Sequence, residues 1–149
     1  MTEPASVSEL TAHARAMVPI LGAMGLEVLE VTPHSAAARL PAEPNVNHFG
    51  AMYAGCLFAV AEVLGGLMAG FMDVPGGLPL VKRLEIDFTR PATTAVTART
   101  TLSAEEFNRV QAEAVANGKS NYELIAEVTD ESGTVVARTH GYYQMRVMG

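Results

Sequence analysis

Residues 51–72 read AMYAGCLFAVAEVLGGLMAGFM, and Glu62 is the only charged side chain in this stretch. A helix that is apolar on every face has to be buried, so the stretch predicts a long helix at the centre of the fold. A carboxylate near the middle of such a helix should have a raised pKa, hydrogen-bond partners, or both. Glu62 is therefore the first candidate for chemistry, and the alternative is a core glutamate with a purely structural role.

A membrane span is another interpretation of a long apolar run, and Gly66 and Gly70 have the spacing of a GxxxG helix contact. A central acidic residue disfavours insertion by roughly 2.5 to 3.5 kcal/mol, and Lys and Arg are missing from both flanks. We therefore expect a buried helix and no membrane partner.

Composition limits the range of partners and cofactors. The chain has 149 residues, which suits one domain spanning residues 1–149. A net charge of -6 with only ten Lys and Arg argues against nucleic-acid binding. The sequence lacks the motifs of zinc, dinucleotide, P-loop and serine-hydrolase sites, so we expect no metal and no bound cofactor.

Two features bear on the cellular compartment. The only cysteine, Cys56, lies in the apolar run, which indicates packing in a reducing compartment rather than a nucleophile. The first ten residues, MTEPASVSEL, lack the basic and apolar regions of a signal peptide. A cytoplasmic protein is expected.

Periodicity on either side of the central run predicts an α+β fold. Strands are expected at residues 26–31, 35–40, 82–89, 94–102, 122–129 and 135–147, and a turn at 73–79. Capping boxes at Ser6/Glu9 and Ser103/Glu106 predict two further helices, which end at Pro19 and Gly118. An antiparallel sheet wrapped around the central helix would bury one side of it. A second copy should cover the remainder, so we expect a homo-oligomer.

Residues 47–62, NHFGAMYAGCLFAVAE, resemble the active-site segment of the hot-dog-fold thioesterases, particularly the phenylacetate-pathway (PaaI-like) group. That group has the pattern N-x-x-G-x-x-H-G-G followed by six residues and an acidic one. Asn47, Gly50, Gly55 and Glu62 match it without a gap, whereas Tyr53 replaces the histidine and Ala54 the first glycine. The resemblance implies a hot-dog fold and hydrolysis of an acyl-CoA or similar acyl thioester. Coenzyme A would enter only as part of this small-molecule substrate.

Gly55 and Glu62 have complementary chemistry. The backbone N–H of Gly55, in the first turn of the helix, has no helical acceptor and lies at the positive end of the dipole, which suits an oxyanion donor. Alternatively, the glycine only permits close packing. Glu62, as general base or nucleophile, lies about 10 Å further along the same helix, which is too far to share one carbonyl. The two groups should therefore come from different protomers of a dimer or a dimer of dimers.

Asn47 and Tyr53 complete the predicted catalytic set. The amide of Asn47 can hold a nucleophilic water or orient the carboxylate, although asparagine also stabilises turns. The hydroxyl of Tyr53 can donate near the thioester where the family uses imidazole, although an aromatic residue before a helix also serves core packing. Arg90, Lys82 and Arg83 are candidates for binding the phosphates of coenzyme A, or are simply solvated.

Two other functions remain open. A non-catalytic acyl-CoA-binding or regulatory domain would keep the fold and lose turnover, and the departures at Tyr53 and Ala54 leave room for it. The hot-dog dehydratases pair a histidine with a helix glutamate fourteen residues later, which matches His48 and Glu62. Spacing alone is weak support for dehydration.

Overall fold

The computed structural model describes residues 5–149. Its elements, in chain order, are α1 (Val7–Met17), α2 (Pro19–Met24), β1 (Glu27–Thr32), β2 (Ser35–Leu40), α3 (Ala54–Ala69), β3 (Gly77–Phe88), β4 (Val96–Thr101), α4 (Ala104–Asn117), β5 (Lys119–Asp130) and β6 (Val135–Val147). The strands form one sheet in the order β1-β2-β4-β5-β6-β3, and every neighbouring pair is antiparallel. The α+β prediction is confirmed.

The central helix α3 packs against the sheet and contacts all six strands. Its buried side is mostly large and apolar, with Leu57, Val60, Leu64 and Met68 at its centre. The opposite side is not covered: Phe58 is exposed, and Glu62 and Val63 are only half buried. The sheet thus buries one side of the helix, as the sequence predicts, and the covering of the other side by a second copy stays a prediction.

Two tyrosines of the sheet fix α3 in place. The rings of Tyr122 and Tyr143 stack with their centroids 5.3 Å apart. The Tyr122 hydroxyl donates to the Gly65 carbonyl at 3.2 Å, and the Tyr143 hydroxyl donates to the Glu62 carbonyl at 3.0 Å. Burial raises the pKa of both phenols, which keeps them protonated as donors. The turn of α3 that carries Glu62 is therefore hydrogen-bonded to the sheet.

The boundaries differ from the sequence prediction in two places. Pro19 does not end the N-terminal helical region; it is the first residue of α2, where its missing N–H costs nothing. Residues 73–79 are not all turn, because β3 begins at Gly77 and pairs with the end of β6. The strand tolerates Pro79 because β3 lies at the edge of the sheet.

Both helix caps predicted by the sequence occur, and one is incomplete. The box of Ser6 and Glu9 is reciprocal. At α4, Ser103 accepts from the Glu106 N–H, but the Glu106 carboxylate pairs with Arg109 instead of returning to the cap. Arg109, three residues along the helix, offers that carboxylate a charged donor.

β3 is a long strand with one free edge. It has 12 residues and pairs with β6 on one side only. Its exposed apolar residues include Leu78, Leu80 and Val81.

Within residues 5–149, no helix has the length and hydropathy needed to cross a membrane. The signal-peptide argument rests partly on residues 1–4, which lie outside the described part of the chain.

Gly65→Ala tests the contact between α3 and the sheet. A Cβ at Gly65 would overlap the ring of Tyr143, which is itself packed against Gly141 and cannot move away. We expect the substitution to lower the free energy of unfolding by about 1–3 kcal/mol, although alanine is the better helix former. Chemical denaturation of the purified protein measures the change.

Gly22→Ala is the matched control, because Gly22 is also helical and its added Cβ would lie 3.5 Å from Arg15, an ordinary contact. We expect this control to be neutral or to gain up to about 1 kcal/mol. Equal effects of the two substitutions would show that the Tyr143 ring is free to move.

Candidate active site

The loop before α3 is held by hydrogen bonds that fix where the helix begins. The Tyr53 N–H donates to the Asn45 carbonyl at 2.8 Å, and the Met52 N–H donates to the Ala92 carbonyl at 2.7 Å. The buried side chain of Asn45 donates to the carbonyls of Met24 and Pro41 at 2.7 and 2.9 Å. Three separate segments therefore meet at the N-terminus of α3.

The N–H of Gly55 is free at this helix end. Tyr53 is the N-cap residue, and its carbonyl accepts from the N–H groups of Cys56 and Leu57 at 2.9 and 3.3 Å. Within residues 5–149, the N–H groups of Ala54 and Gly55 have no acceptor, and no side chain caps the helix. These two donors, at the positive end of the helix dipole, are available to an oxyanion.

The ring of Tyr53 lies directly over Gly55. A Cβ added to Gly55 would stand 2.6 Å from Cε1 of Tyr53. The tyrosine is 59% exposed, so its ring serves neither the core nor a buried hydrogen bond. Glycine at position 55 thus leaves room for the ring, and its role as an oxyanion donor stays a prediction.

Glu62 lies on the uncovered side of α3, between Phe58 and Gly66 on neighbouring turns. Burial among these groups raises the pKa of its carboxyl, in the direction expected from the sequence. In the described chain the carboxylate accepts no hydrogen bond, so neither Asn47 nor a backbone N–H offsets the rise. A carboxylate with a raised pKa and no hydrogen-bond partner can take up a proton or accept a hydrogen bond from another molecule.

Asn47 shapes the loop through one half of its amide. Its Oδ1 accepts from the N–H groups of Phe49 and Ala51 at 2.9 and 3.2 Å, which is the turn role that the sequence left open. Its Nδ2 donates to no group in residues 5–149. The amide therefore presents a free donor whose direction is fixed by its own oxygen.

A cavity of about 350 Å³ adjoins Asn47 and the start of α3. Its walls are Asn47, Ala51, Met52, Ala54, Leu57 and residues 88–92, which follow the end of β3. Arg90 is exposed on this wall, and in the described residues it forms no ion pair. Glu62 does not border the cavity. One chain thus supplies a polar donor and a cation to this cavity, and no general base.

The other two predicted cations are placed differently. Arg83 forms an ion pair with Glu85 at 2.6 Å, and its guanidinium lies 5.4 Å from the ring centre of Tyr142. Lys82 is exposed on β3 and does not border the cavity. Of the three cations named from the sequence, Arg90 alone lies in the wall of this cavity.

The remaining reactive side chains have other surroundings. His48 is exposed and contacts Phe49, with the ring centres 4.0 Å apart and the rings tilted by 39°. His140, for which the sequence suggests no carboxylate partner, lies 2.6 Å from Glu123 because the register of β5 and β6 brings them together. The sulfur of Cys56 is buried and lies 3.6 Å from Oδ1 of Asn45. Burial raises the pKa of the thiol, so Cys56 serves packing, as the sequence predicts.

Comparison with known proteins identifies the family and the fold. Residues 8–147 match the family described as "Domain of unknown function (DUF4442)". A Pseudomonas aeruginosa protein of unknown function, named "Probable Thioesterase", has 32% identity and a TM-score of 0.88, over 97% of this chain and 98% of that chain. Curated protein sequences give no match.

More distant structures share the fold. A Chlorobaculum tepidum protein of unknown function has a TM-score of 0.84 at 17% identity, over 95% of this chain and 94% of its own. A thioesterase from Haemophilus influenzae has a TM-score of 0.74 at 15% identity, over 99% of this chain and 95% of its own. The chain therefore belongs to the DUF4442 family and has the hot-dog fold of the thioesterase-like proteins.

Proposed function

We propose that the chain hydrolyses an acyl-CoA, or a similar acyl thioester, to the free acid and the thiol. The observation that carries the proposal is the free N–H of Gly55 at the start of α3, next to the Asn47 loop. The 32% identity to the Pseudomonas aeruginosa protein supports it over nearly the whole chain. Residues 1–149 would act as one domain in the cytoplasm, with no cofactor beyond the coenzyme A of the substrate.

The chemistry assigns one task to each group. The thioester carbonyl oxygen accepts from the Gly55 N–H, which stabilises the negative charge that develops on it. As general base, the Glu62 carboxylate takes a proton from water, and the water oxygen bonds to the carbonyl carbon. The C–S bond then breaks, and the sulfur leaves with that proton as the thiol. As nucleophile, Glu62 would instead form an anhydride that water hydrolyses.

This arrangement requires two copies of the chain. Gly55 and Glu62 are seven residues apart on one helix, about 10 Å along its axis, so a partner's glutamate would have to face the Gly55 N–H. The uncovered strip of α3 around Phe58 and the free edge of β3 are surfaces on which a second copy can pack. We propose a homodimer, or a dimer of dimers, with two equivalent sites.

The ends of the substrate have different partners. Arg90 stands in the cavity wall without an ion pair among residues 5–149 and suits a phosphate of coenzyme A. Asn47 would direct its free Nδ2 at the attacking water or the carboxylate. Tyr53, whose ring covers Gly55, would close over the thioester and place its hydroxyl beside it.

A non-catalytic acyl-CoA-binding domain is the competing function, because Tyr53 and Ala54 replace residues of the thioesterase pattern. A panel of acyl-CoA esters assayed for released thiol separates the two. Release of thiol from at least one ester supports hydrolysis. Binding of every ester without release would replace the enzyme with the binding domain.

Glu62→Gln tests the base. The substitution keeps the shape of the side chain and removes its charge, so we expect kcat to fall by about 10² to 10⁴. In the wild type the rate should fall as the pH is lowered through the raised pKa of Glu62, and the acid limb should lie above the range of an ordinary glutamate, about 4.3. Steady-state rates against pH measure both effects.

The stability of the Glu62→Gln variant shows whether a loss of activity comes from a loss of folding. A raised folded-state pKa means that the folded protein holds the proton more tightly, so ionised Glu62 lowers stability above that pKa. Glu62→Gln should therefore be no less stable than wild type at neutral pH. Glu105→Gln, an exposed position on α4, is the matched control and should leave kcat unchanged. A Glu62→Gln variant that kept most of its turnover would remove Glu62 from the mechanism.

Mixing two inactive variants tests the shared site. Gly55→Pro deletes the free N–H and is tolerated in the first turn of a helix, whereas Gly55→Ala keeps the N–H and carries a comparable steric change. Random exchange of Gly55→Pro with Glu62→Gln chains should restore about a quarter of wild-type activity, since half of the dimers would have one intact site. Full activity in a protein that sediments as a monomer would contradict the arrangement.

Asn47→Asp separates the two halves of the amide. Aspartate keeps the oxygen that accepts from Phe49 and Ala51, so the loop should remain intact, whereas Asn47→Ala should cost about 1 kcal/mol of stability. If the free Nδ2 serves the reaction, the aspartate variant loses at least tenfold in kcat at unchanged stability. Unchanged turnover in the aspartate variant would show that Asn47 only stabilises the turn.

A further inference from the structure

A second cavity lies on the other side of the Asn47 loop. It measures about 360 Å³, is open to solvent and is lined by α2, the loop and the first turn of α3. Its apolar wall includes Ile20, Ala23, Met24, Val46 and Cys56. Neither the comparisons nor the sequence pattern assigns a role to this cavity.

The second cavity shares part of its wall with the candidate site. Asn47 borders both this cavity and the one that contains Arg90. Tyr53 forms part of its wall, and the same ring covers Gly55. Gly55 borders neither cavity, but Ala54 borders the first and Cys56 the second, so a substrate whose carbonyl meets the Gly55 N–H would lie between the two.

The chemistry of the two cavities differs. No charged side chain borders the second cavity, whereas Arg90 borders the first. Three polar side chains border it, Asn45, Asn47 and Tyr53. Asn45 is engaged: its Nδ2 donates to the Met24 and Pro41 carbonyls, and its Oδ1 accepts from the Cys56 thiol. The second cavity thus offers mostly apolar surface and no cation for a phosphate, and it favours a hydrocarbon.

We propose that the second cavity binds the acyl group of the substrate, with coenzyme A directed towards Arg90. The inference rests on the proposed function and deepens it. A cavity of this size holds roughly a dozen groups of water-molecule size, which fits a short or medium aliphatic chain or one aromatic ring. Ile20, 62% exposed on α2, stands at the cavity wall nearest solvent and determines how long a chain fits.

Ile20→Trp tests the assignment by narrowing the cavity. The probes are non-hydrolysable thioether analogues of acyl-CoA with chains from two to about twelve carbons, and titration calorimetry gives their Kd values. In the wild type, affinity should rise by up to about fourfold per added methylene until the cavity is full. In Ile20→Trp the increase should stop at a shorter chain, with the two-carbon analogue bound as in wild type.

Met17→Trp is the matched control, because Met17 is an exposed apolar residue at the end of α1, 69% exposed, that does not border the cavity. It should leave the whole chain-length series unchanged. Thr89→Trp, at an exposed position in its wall, fills the Arg90 cavity instead. If this variant shortened the longest chain that binds and Ile20→Trp had no effect, the acyl group would lie in the Arg90 cavity and the assignment would be overturned.

The same variants distinguish a failure of the acyl site from a failure of the proposed hydrolysis. If wild type releases thiol from acyl-CoA but Ile20→Trp keeps the same chain-length profile, the acyl site is wrong and the hydrolase stands. If wild type binds the analogues with the expected chain-length dependence and releases no thiol from any ester, the acyl site stands and the enzyme is replaced by a binding domain. Failure of wild type to bind any analogue overturns the acyl site.

Discussion

The structure depends on covering a sixteen-residue helix that has a single charged side chain. One sheet can bury one side of such a helix, and the fold puts Leu64 and Met68 there together with the hydroxyls of Tyr122 and Tyr143. The other side keeps Phe58 and Glu62 within reach of solvent. An exposed apolar strip of this kind is typical of a surface on which another molecule packs. The same strip would therefore link the packing of the helix to the proposed dimer.

Local patterns predicted most of the architecture. The alternation of apolar and polar residues located the strands, and the Ser6 and Ser103 caps located two helices, because both signals arise from neighbours in sequence. α2 was missed because six residues are too few to show a period, and Pro19 suits the start of a helix as well as its end. The first part of β3 was missed because Gly77 and Pro79 are typical of turns, yet an edge strand tolerates both.

The site was predictable only where it is contiguous. Asn47, Gly55 and Glu62 lie within one segment, so their match to the thioesterase pattern indicated a shared chemistry. The approach of Arg90 to Asn47, the tyrosines that bind the α3 carbonyls and the cavity against Ile20 all join residues far apart in the chain. The pairing of His140 with Glu123 depends on strand register in the same way. A single sequence contains no signal for such contacts.

The buried amide of Asn45 has a consequence for how such a protein can diverge. It binds the end of α2, the loop at Pro41 and the thiol of Cys56 on α3 at once, and its backbone carbonyl accepts from Tyr53. Any replacement leaves several of these groups without a partner inside a cavity wall, which is expensive. New substrate preferences should therefore arise through exposed wall residues such as Ile20, while the framework that sets the helix start stays constant. The architecture would thus confine variation to the exposed wall of the cavity.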